Sequence, residues 1–372
     1  MRIKTLTTYD VYNYGASLQA YALQAYLSQQ GHNTEIIRYQ PDYLSRKYDY
    51  RWVNPESKMS RWALTRFVYR IAKYIQRQTT MGRKRIFDDF NHHVLVETKQ
   101  EYRTFEELCE NPPDADLYVC GSDQIWNVLY DAGRDPAFYL EFVPKGRRKV
   151  SYAASFSYLD IDEENRERIA KSLRTFDAVS VREYQGNDIL KSMGIEGSWV
   201  LDPVFLLPSD SWKDFAKQGL LQEQSNREPY LLVYDFEGNA LIKDCAKEYA
   251  KKHYLKIYAI TDTYPQLYAD CNFRKAGPVE FVQMISGCSA FMSNSFHGTA
   301  FSIIFHKPFF VFERHRHAVN SRMESLLYLF GLDDRLIEKV QGDLSPINWN
   351  MVDDIMSKKL SESVEFLRKV GL

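Results

Sequence analysis

The sequence predicts an α/β protein with two Rossmann-like domains facing a cleft. Short apolar segments alternate with amphipathic helical segments, which is the pattern of a doubly wound parallel sheet. The alternation stops in a polar stretch that begins at residue 208 and restarts at residue 230. The 372 residues also exceed the size that one core usually serves. We therefore predict domains over 1–207 and 208–350, and a closing helix over 351–372 for which we consider packing back on the N-terminal domain.

The first forty residues read as one β–α–β unit. A strand is predicted over 3–7, a helix over 16–30 that Gly31 ends, and a strand over 34–38. Asn13 and Tyr14 lie in the loop where the first strand meets the helix, which is the usual ligand position in open α/β sheets. The loop has a single glycine, so it carries no dinucleotide fingerprint.

A basic helical insertion is predicted over about 42–100. Residues 42–88 contain twelve Lys and Arg against four Asp and Glu, and Leu64, Phe67 and Ile71 fall at helical spacing. Such a helix can lie on an anionic membrane or face an anionic acceptor. It can equally dock its apolar stripe on the domain and leave its charges in water. We favour docking, because stripe width alone does not distinguish a core face from a membrane face.

Strands and helices then alternate to the end of the first domain. Strands are predicted over 117–120, 150–155, 178–181 and 199–201, with helices over 162–173 and 183–193. The first of these strands ends in a polar run in which Asp123 and Gln124 either bind sugar hydroxyls or form a turn tied to its own backbone. In the same run, Trp126 either stacks on a sugar or belongs to the core. Arg182 follows the third strand, where its guanidinium can bind a carboxylate or phosphate in a bidentate manner.

The second domain repeats the rhythm around the stretch 290–305. Strands are predicted over 230–234, 256–260, 290–292 and 309–312, with helices over 240–252, 279–285, 321–330 and 351–369. Ser293, Asn294 and Ser295 are candidate N-caps of a helix that begins directly after its strand. His297 then falls in the first helical turn, where free N–H groups favour anions. It is either an acid/base group beside an anion site or a histidine with a local hydrogen bond.

Composition excludes several classes of function. The net charge of −1 gives no general attraction to nucleic acid. The five cysteines show no zinc spacing and indicate a reducing compartment, and the N-terminus has no signal-like region, so we expect a cytoplasmic protein. Glu313, His315 and His317 alternate as metal ligands do, yet no further ligand is identifiable, so we predict no metal and no cofactor.

Five stretches in the order of the chain resemble the polysaccharide pyruvyl transferases. They are Asn13-Tyr14-Gly15, the run from Gly121 to Asn127, the run from Val179 to Glu183, the run from Leu201 to Val204, and the run from Ser293 to Gly298. The resemblance covers about residues 10 to 315 and implies a glycosyltransferase-B-like fold. It also implies transfer of pyruvate from phosphoenolpyruvate, as co-substrate, to two hydroxyls of one sugar in a surface-polysaccharide precursor, with release of phosphate.

The resemblance also implies roles for individual residues. The family's motif histidine matches His297, which is expected to be catalytic, and its motif arginine resembles Arg182, expected to bind the donor. Such a donor has two anionic groups. The helix start at Asn294, Ser295 and Gly298 offers backbone N–H groups for the second of them. The residues expected to contact the acceptor or support the site are Asn13, Tyr14, Asp123, Gln124 and Trp126.

Two other functions remain open. One is a glycosyltransferase of the same architecture that uses a nucleotide-sugar donor, and the other is a non-catalytic sugar-binding protein. For a pyruvyl transferase, the acceptor would be a lipid-linked or nucleotide-linked sugar. The basic segment 42–88 would then face the acceptor or contact the inner face of the membrane peripherally.

Overall fold

The fold consists of two parallel sheets, each covered by helices. The computed structural model describes residues 1–45, 53, 59, 61–159, 161–219, 228–261, 264–314, 320–340 and 345–372. Within these residues, each of the two main sheets has five strands. The α/β class and the pair of Rossmann-like sheets predicted from the sequence are confirmed.

The N-terminal sheet has the strand order β3-β2-β1-β4-β5, with every pair parallel. A short parallel pair, β6 and β7, extends it through single bridges from Val150 to Ala178 and from Ala154 to Val181. The strands are β1 Arg2–Leu6, β2 Asn33–Tyr39, β3 Glu97–Tyr102, β4 Leu117–Cys120, β5 Arg148–Ser151, β6 Val179–Val181 and β7 Gly197–Trp199.

The C-terminal sheet has the order β10-β9-β8-β11-β12, which is the same permutation of successive strands. Its strands are β8 Tyr230–Tyr234, β9 Lys256–Ile260, β10 Cys271–Phe273, β11 Ala290–Ser293 and β12 Phe309–Val311. The central strands β8 and β11 are buried along their whole length, as expected for a parallel sheet covered on both faces. In each sheet, the order reverses between the first and the fourth strand, so a crevice opens there at the carboxyl ends.

Helices cover both faces of each sheet. Those of the N-terminal half are α1 Tyr14–Gln29, α2 Asp42–Ser45, α3 Ala63–Val94, α4 Phe105–Glu110, α5 Glu163–Leu173 and α6 Tyr184–Ser192. Those that follow are α7 Ser209–Ala216, α8 Ala240–His253, α9 Pro278–Gly287, α10 Phe296–Ile304, α11 Ser321–Phe330 and α12 Trp349–Lys369. None of these described helices is both long enough and apolar enough to cross a bilayer.

The last helix, α12, lies against the N-terminal domain. Ser363 Oγ accepts a hydrogen bond of 2.9 Å from the backbone N–H of Leu201. At the end of the chain, Arg148 Nη2 donates to the carbonyl oxygen of Val370 at 2.9 Å. The C-terminal segment therefore connects the two halves of the molecule.

The predicted insertion forms the long helix α3, but its apolar stripe does not dock on the domain. In the first turns, Leu64, Phe67 and Ile71 are exposed, whereas Lys73 on the opposite side is buried. The docked interpretation is therefore wrong for this part of the helix. In its last turns α3 joins the core through Phe87 and Phe90. The remainder of the predicted insertion, at 46–52, 54–58 and 60, lies outside the described residues.

Candidate active site

The site is built around the carboxylate of Asp202, which follows β7. Its Oδ1 accepts a hydrogen bond of 3.1 Å from the backbone N–H of Val204 and so caps the short 3₁₀ helix Pro203–Leu206. Its Oδ2 accepts from Ser122 Oγ at 2.9 Å and from Arg182 Nη1 at 2.7 Å. The Asp-Pro sequence thus fixes the carboxylate by a capping interaction and leaves Oδ2 to accept from other side chains.

Arg182 lies directly after β6, and its side chain is completely buried. Its Nη1 also donates to Ser122 Oγ at 3.2 Å, and its Nη2 donates to Asp123 Oδ1 at 3.2 Å. Burial opposes the charged form, but the carboxylates of Asp202 and Asp123 outweigh it, so the pKa of Arg182 lies above its usual value. The site therefore contains a permanent, fixed positive charge.

His297 reaches the same carboxylate from the C-terminal domain. It is the second residue of α10, and its Nε2 lies 3.6 Å from Asp202 Oδ2. The ring packs on Gly15 at the start of α1, where a Cβ would stand 1.8 Å from His297 Nδ1. Nε2 is buried and has no hydrogen-bond partner among the described residues. Burial alone would raise the pKa of Asp202, but His297 and Arg182 together hold it well below its usual value.

The residues around His297 shape the start of α10. Ser295 is the N-cap, and its Oγ accepts from the N–H of Gly298 at 3.2 Å. Asn294 is directed away from the helix, since its Nδ2 donates to Asp235 Oδ1 at 3.1 Å. Within the part of the chain that is described, the N–H groups of Phe296 and His297 have no hydrogen-bond partner. These two groups are the donors that the helix start offers to an anion.

Arg322, in the first turn of α11, is a charged residue of the site that the sequence analysis did not identify. Its Nη1 lies 3.7 Å from Asp123 Oδ1, and its guanidinium carbon lies 5.7 Å from the centre of the Phe296 ring. With its side-chain amide oriented so that the oxygen faces Arg322, Gln124 accepts hydrogen bonds from Arg322 Nη1 at 2.9 Å and Nη2 at 3.1 Å. Burial and the like charge of Arg182 lower the pKa of Arg322 to about 10.

The charged groups of the site differ in how far they are buried. The side chains of Arg322 and Asp123 are 11% and 14% exposed, whereas those of Arg182 and Asp202 are fully buried and that of His297 is 6% exposed. Arg322 and Asp123 are therefore the most accessible charged groups of the site.

Several loops that border the site adopt left-handed backbone angles. The φ angles of Tyr12, Asp123, Ala153 and Ser157 are 53°, 77°, 57° and 51°. Glu183 holds one of these loops, because its Oε1 accepts from the N–H of Ser157 at 3.0 Å. Strained non-glycine residues persist only where the surrounding structure over-determines them, which is common at functional sites.

Three residues predicted to contact the acceptor or support the site have structural contacts. Asn13 caps α1 through a hydrogen bond of 3.2 Å from Ala16 N–H. Tyr14 is buried, and its ring stacks on that of Phe281 in α9 with the ring centroids 4.5 Å apart. Trp126 is fully buried in the N-terminal core. Of the two interpretations of Trp126, the structure therefore supports the core residue.

A polar cavity of about 350 Å³ lies beside the site at the carboxyl ends of β1, β2 and β3. Asp10 is held in its wall by Gln40 Nε2 at 2.7 Å and by Asn91 Nδ2 at 3.0 Å. The loop that follows β1 borders both features, because Tyr12 lines the cavity and Gly15 contacts His297. Other lining residues are Asp88, Glu97 and Lys84.

Metal binding finds no support in the described part of the chain. No group of three or more His, Cys, Asp or Glu side chains there is arranged to hold an ion. Of the alternating residues considered above, His315 and His317 lie outside the described residues, as does the neighbouring Arg316.

Comparison with protein families gives one match that covers most of the chain. The family model described as polysaccharide pyruvyl transferase matches residues 13–316. A comparison with curated proteins gave no match.

Solved structures of low sequence identity match along most of the chain. UDP-GlcNAc 2-epimerase from Neisseria meningitidis is 13% identical over 99% of this chain and 93% of that chain, with a TM-score of 0.49. The epimerase from Methanocaldococcus jannaschii is 11% identical over 97% and 93%, with a TM-score of 0.48. ADP-heptose heptosyltransferase II from E. coli is 10% identical over 96% and 99%, with a TM-score of 0.37. Similarity at this level carries no inference about substrates.

Proposed function

Because the chain belongs to the polysaccharide pyruvyl transferase family, we propose that it transfers pyruvate from phosphoenolpyruvate to two hydroxyls of a sugar. The product is a cyclic pyruvate ketal on a surface-polysaccharide precursor, and phosphate is released. The observation that carries the proposal is the convergence of Arg182 and His297, from different domains, on the same oxygen of Asp202 at 2.7 and 3.6 Å.

We assign the binding of the donor to Arg322 and the start of α10. Phosphoenolpyruvate has a carboxylate and a phosphate, so it needs both fixed positive charge and oriented N–H groups. Arg322 keeps a small exposed fraction, and the N–H groups of Phe296 and His297 are without partners among the described residues. Arg182 is already bound to Asp202 and Asp123, so we assign it the role of holding these carboxylates and supplying charge behind the donor.

The chemistry requires proton transfers that a single histidine can assist. The methylene carbon of phosphoenolpyruvate gains a proton, one sugar hydroxyl adds to the central carbon, phosphate leaves, and the second hydroxyl closes the ring. The two sugar hydroxyls lose two protons in total. One offsets the proton that the methylene carbon gains, and the other leaves with the phosphate. We assign His297 Nε2, 3.6 Å from Asp202 Oδ2, as the group that holds and moves a proton.

The acceptor sugar is assigned to the polar cavity beside the site. Carboxylates and amides such as those of Asp10, Gln40 and Asn91 are suited to hydrogen bonding with sugar hydroxyls, and a volume of about 350 Å³ lies within the range of small-molecule sites. The five cysteines are free thiols, which agrees with the reducing, cytoplasmic location that we propose.

A phosphate-release assay tests the function. The purified protein is mixed with phosphoenolpyruvate and a panel of soluble glycosides, and phosphate and sugar products are measured. We expect phosphate release and a sugar that has gained one pyruvate less one water. Failure of phosphoenolpyruvate to bind, or release of a nucleoside diphosphate from a nucleotide sugar instead, would contradict the proposal.

Two variants separate donor binding from chemistry. Arg322→Gln removes a charged hydrogen-bonding group that we assign to phosphoenolpyruvate. It should weaken phosphoenolpyruvate binding about 10- to 100-fold, as measured by calorimetry. His297→Ala should lower turnover by about 10²–10⁴-fold and affect donor binding less. Arg368→Gln, on the exposed face of α12, is the matched control and should change neither quantity.

A further inference from the structure

The first turns of α3 have their apolar side towards solvent. Leu64, Phe67, Val68 and Ile71 are 74%, 60%, 52% and 45% exposed and form one stripe at helical spacing, here called the outer stripe. Lys73, on the other side, is buried. A helix of a globular domain normally has the opposite orientation. The outer stripe is therefore an unusual apolar surface that is open to a partner.

The charge around the outer stripe has one sign. Between residues 57 and 87 the sequence contains nine Lys and Arg and no Asp or Glu, and of these Arg61 and Arg66 are exposed at the same end of the helix as the outer stripe. Trp62, at the beginning of the helix, is 72% exposed, and tryptophan is enriched at membrane–water interfaces. Exposed apolar side chains flanked by basic ones are typical of helices that lie in the surface of an anionic bilayer.

We propose that the outer stripe of α3 docks on the surface of a bilayer that contains anionic lipids. The helix lies in the plane of the interface, with the stripe inserted among the lipid headgroups and the basic side chains paired with lipid phosphates.

A second copy of this chain fits the outer stripe less well. A twofold contact would place the same surface of each protomer against itself. The basic residues that flank the stripe would then face their own copies, and no acidic residue between 57 and 87 would offset this repulsion.

The other end of α3 connects this surface to the candidate site. Lys84, Asp88 and Asn91 lie in the last turns and line the polar cavity. The helix has 32 residues and spans about 48 Å at the usual rise per residue. If the cavity holds the acceptor sugar, a consequence that depends on the proposed function, then docking would bring the cavity close to a sugar carried by a membrane lipid.

Vesicle co-sedimentation tests the docking, and its result does not depend on the enzymatic assignment. The full-length protein is mixed with vesicles of phosphatidylcholine, with and without phosphatidylglycerol. We expect binding to the anionic vesicles, weak binding to the neutral ones, and a decrease as salt is added. Equal binding to both kinds of vesicle, or binding to neither, would overturn the proposal.

A double variant locates the contact. Leu64→Ser with Phe67→Ser removes two exposed side chains and should reduce partition into anionic vesicles at least about tenfold. Leu267→Ser is the matched control, because Leu267 is 95% exposed elsewhere on the molecule, and it should bind as the wild type does. Unchanged binding of the double variant would overturn the proposal. So would a wild-type dimer in light scattering that the double variant converts to a monomer.

The two proposals fail in different ways. If the double variant loses vesicle binding but still binds phosphoenolpyruvate in solution, the docking surface is supported whatever the sugar acceptor is. If the wild type binds anionic vesicles but does not bind phosphoenolpyruvate, the docking surface stands and the proposed function does not.

Discussion

At the residue scale, the position of His297 depends on a glycine of the other domain. Gly15 lies in the first turn of α1, and its missing side chain leaves the space that the imidazole ring occupies. The ring is thereby pressed between α1 and the carboxylate of Asp202. A change at Gly15 should therefore act on the histidine without changing any polar group of the site.

We predict that Gly15→Ala lowers turnover by a factor approaching that of His297→Ala, because the new Cβ would stand 1.8 Å from His297 Nδ1 and must displace the ring. Steady-state kinetics with phosphoenolpyruvate measures the effect. Gly82→Ala is the control, since Gly82 is also helical and a Cβ there meets the flexible side chain of Lys275 at 3.2 Å. A Gly15→Ala enzyme as active as the control would show that the ring position does not matter.

The charges of the site also affect stability. The pKa of Asp202 is held below its usual value in the folded protein, so in acid the unfolded chain binds more protons at this residue than the folded one. The stabilising contribution is fully present above the unfolded pKa of about 4 and is lost as the pH falls below it.

We predict that the free energy of unfolding decreases as the pH is lowered from about 5 to about 3, and that Asp202→Asn flattens this dependence. Urea denaturation at a series of pH values provides the measurement. Glu183 acts in the opposite direction, because burial raises its pKa, so the wild type and the variant must be compared at each pH. Equal slopes for the two proteins would contradict the assignment to Asp202.

Part of the site could be read from single residues, and part could not. The meeting of Arg182 and His297 follows from their positions at strand ends, where parallel sheets bring side chains together. Arg322 was missed because it begins a helix with no strand directly before it, and its neighbours Asp123 and Phe296 are distant in the sequence. Nothing in the local pattern around it differs from an ordinary helix start.

At the scale of elements, α12 is held to the N-terminal domain by a buried polar contact. Ser363 is fully buried, and its Oγ accepts from the N–H of Leu201 while donating to the carbonyl oxygen of Lys359. Leu201 immediately precedes Asp202, so this contact also supports the loop that carries the central carboxylate.

Removing that hydroxyl should lower the free energy of unfolding. We predict that Ser363→Ala costs about 1–3 kcal/mol, because it leaves the N–H of Leu201 buried without a partner. Ser361→Ala is the matched control on the same helix, since Ser361 is exposed and also donates to a carbonyl four residues earlier. Denaturant titration of both variants decides the matter, and equal costs would contradict the role given to the buried contact.

Sequence patterns predicted apolar elements well and polar ones poorly. The segments 117–120, 230–234 and 256–260 were predicted as strands with the bounds that the structure has. Strand β3 was missed because its sequence is polar, and only Thr98 and Tyr102 of its six residues are buried. Strand β3 lies at the edge of the sheet, where side chains can remain exposed to water. Helix α3 was found, but spacing cannot tell which way a stripe faces.

At the scale of the whole molecule, the two domains share one hydrophobic core. Tyr14 of α1 stacks on Phe281 of α9. The ring centroid of Trp212 in α7 lies 5.7 Å from that of Tyr21 and 4.8 Å from that of Phe301. The crevices of the two sheets therefore open towards a common region in which side chains from both domains meet. The length and the repeated rhythm predicted two such domains, whereas the shared core depends on contacts between distant residues that no local pattern reveals.

The most direct test follows the central carbon of the donor. Phosphoenolpyruvate carrying ¹³C at that carbon is incubated with a soluble glycoside panel and the wild-type protein, and the label is followed by NMR. We expect the label to appear as a ketal carbon with the wild type, and to remain in bound phosphoenolpyruvate with His297→Ala. A label that stays in the donor with the wild type, or a His297→Ala protein that forms the ketal at the wild-type rate, would contradict a pyruvyl transfer site at His297 and Asp202.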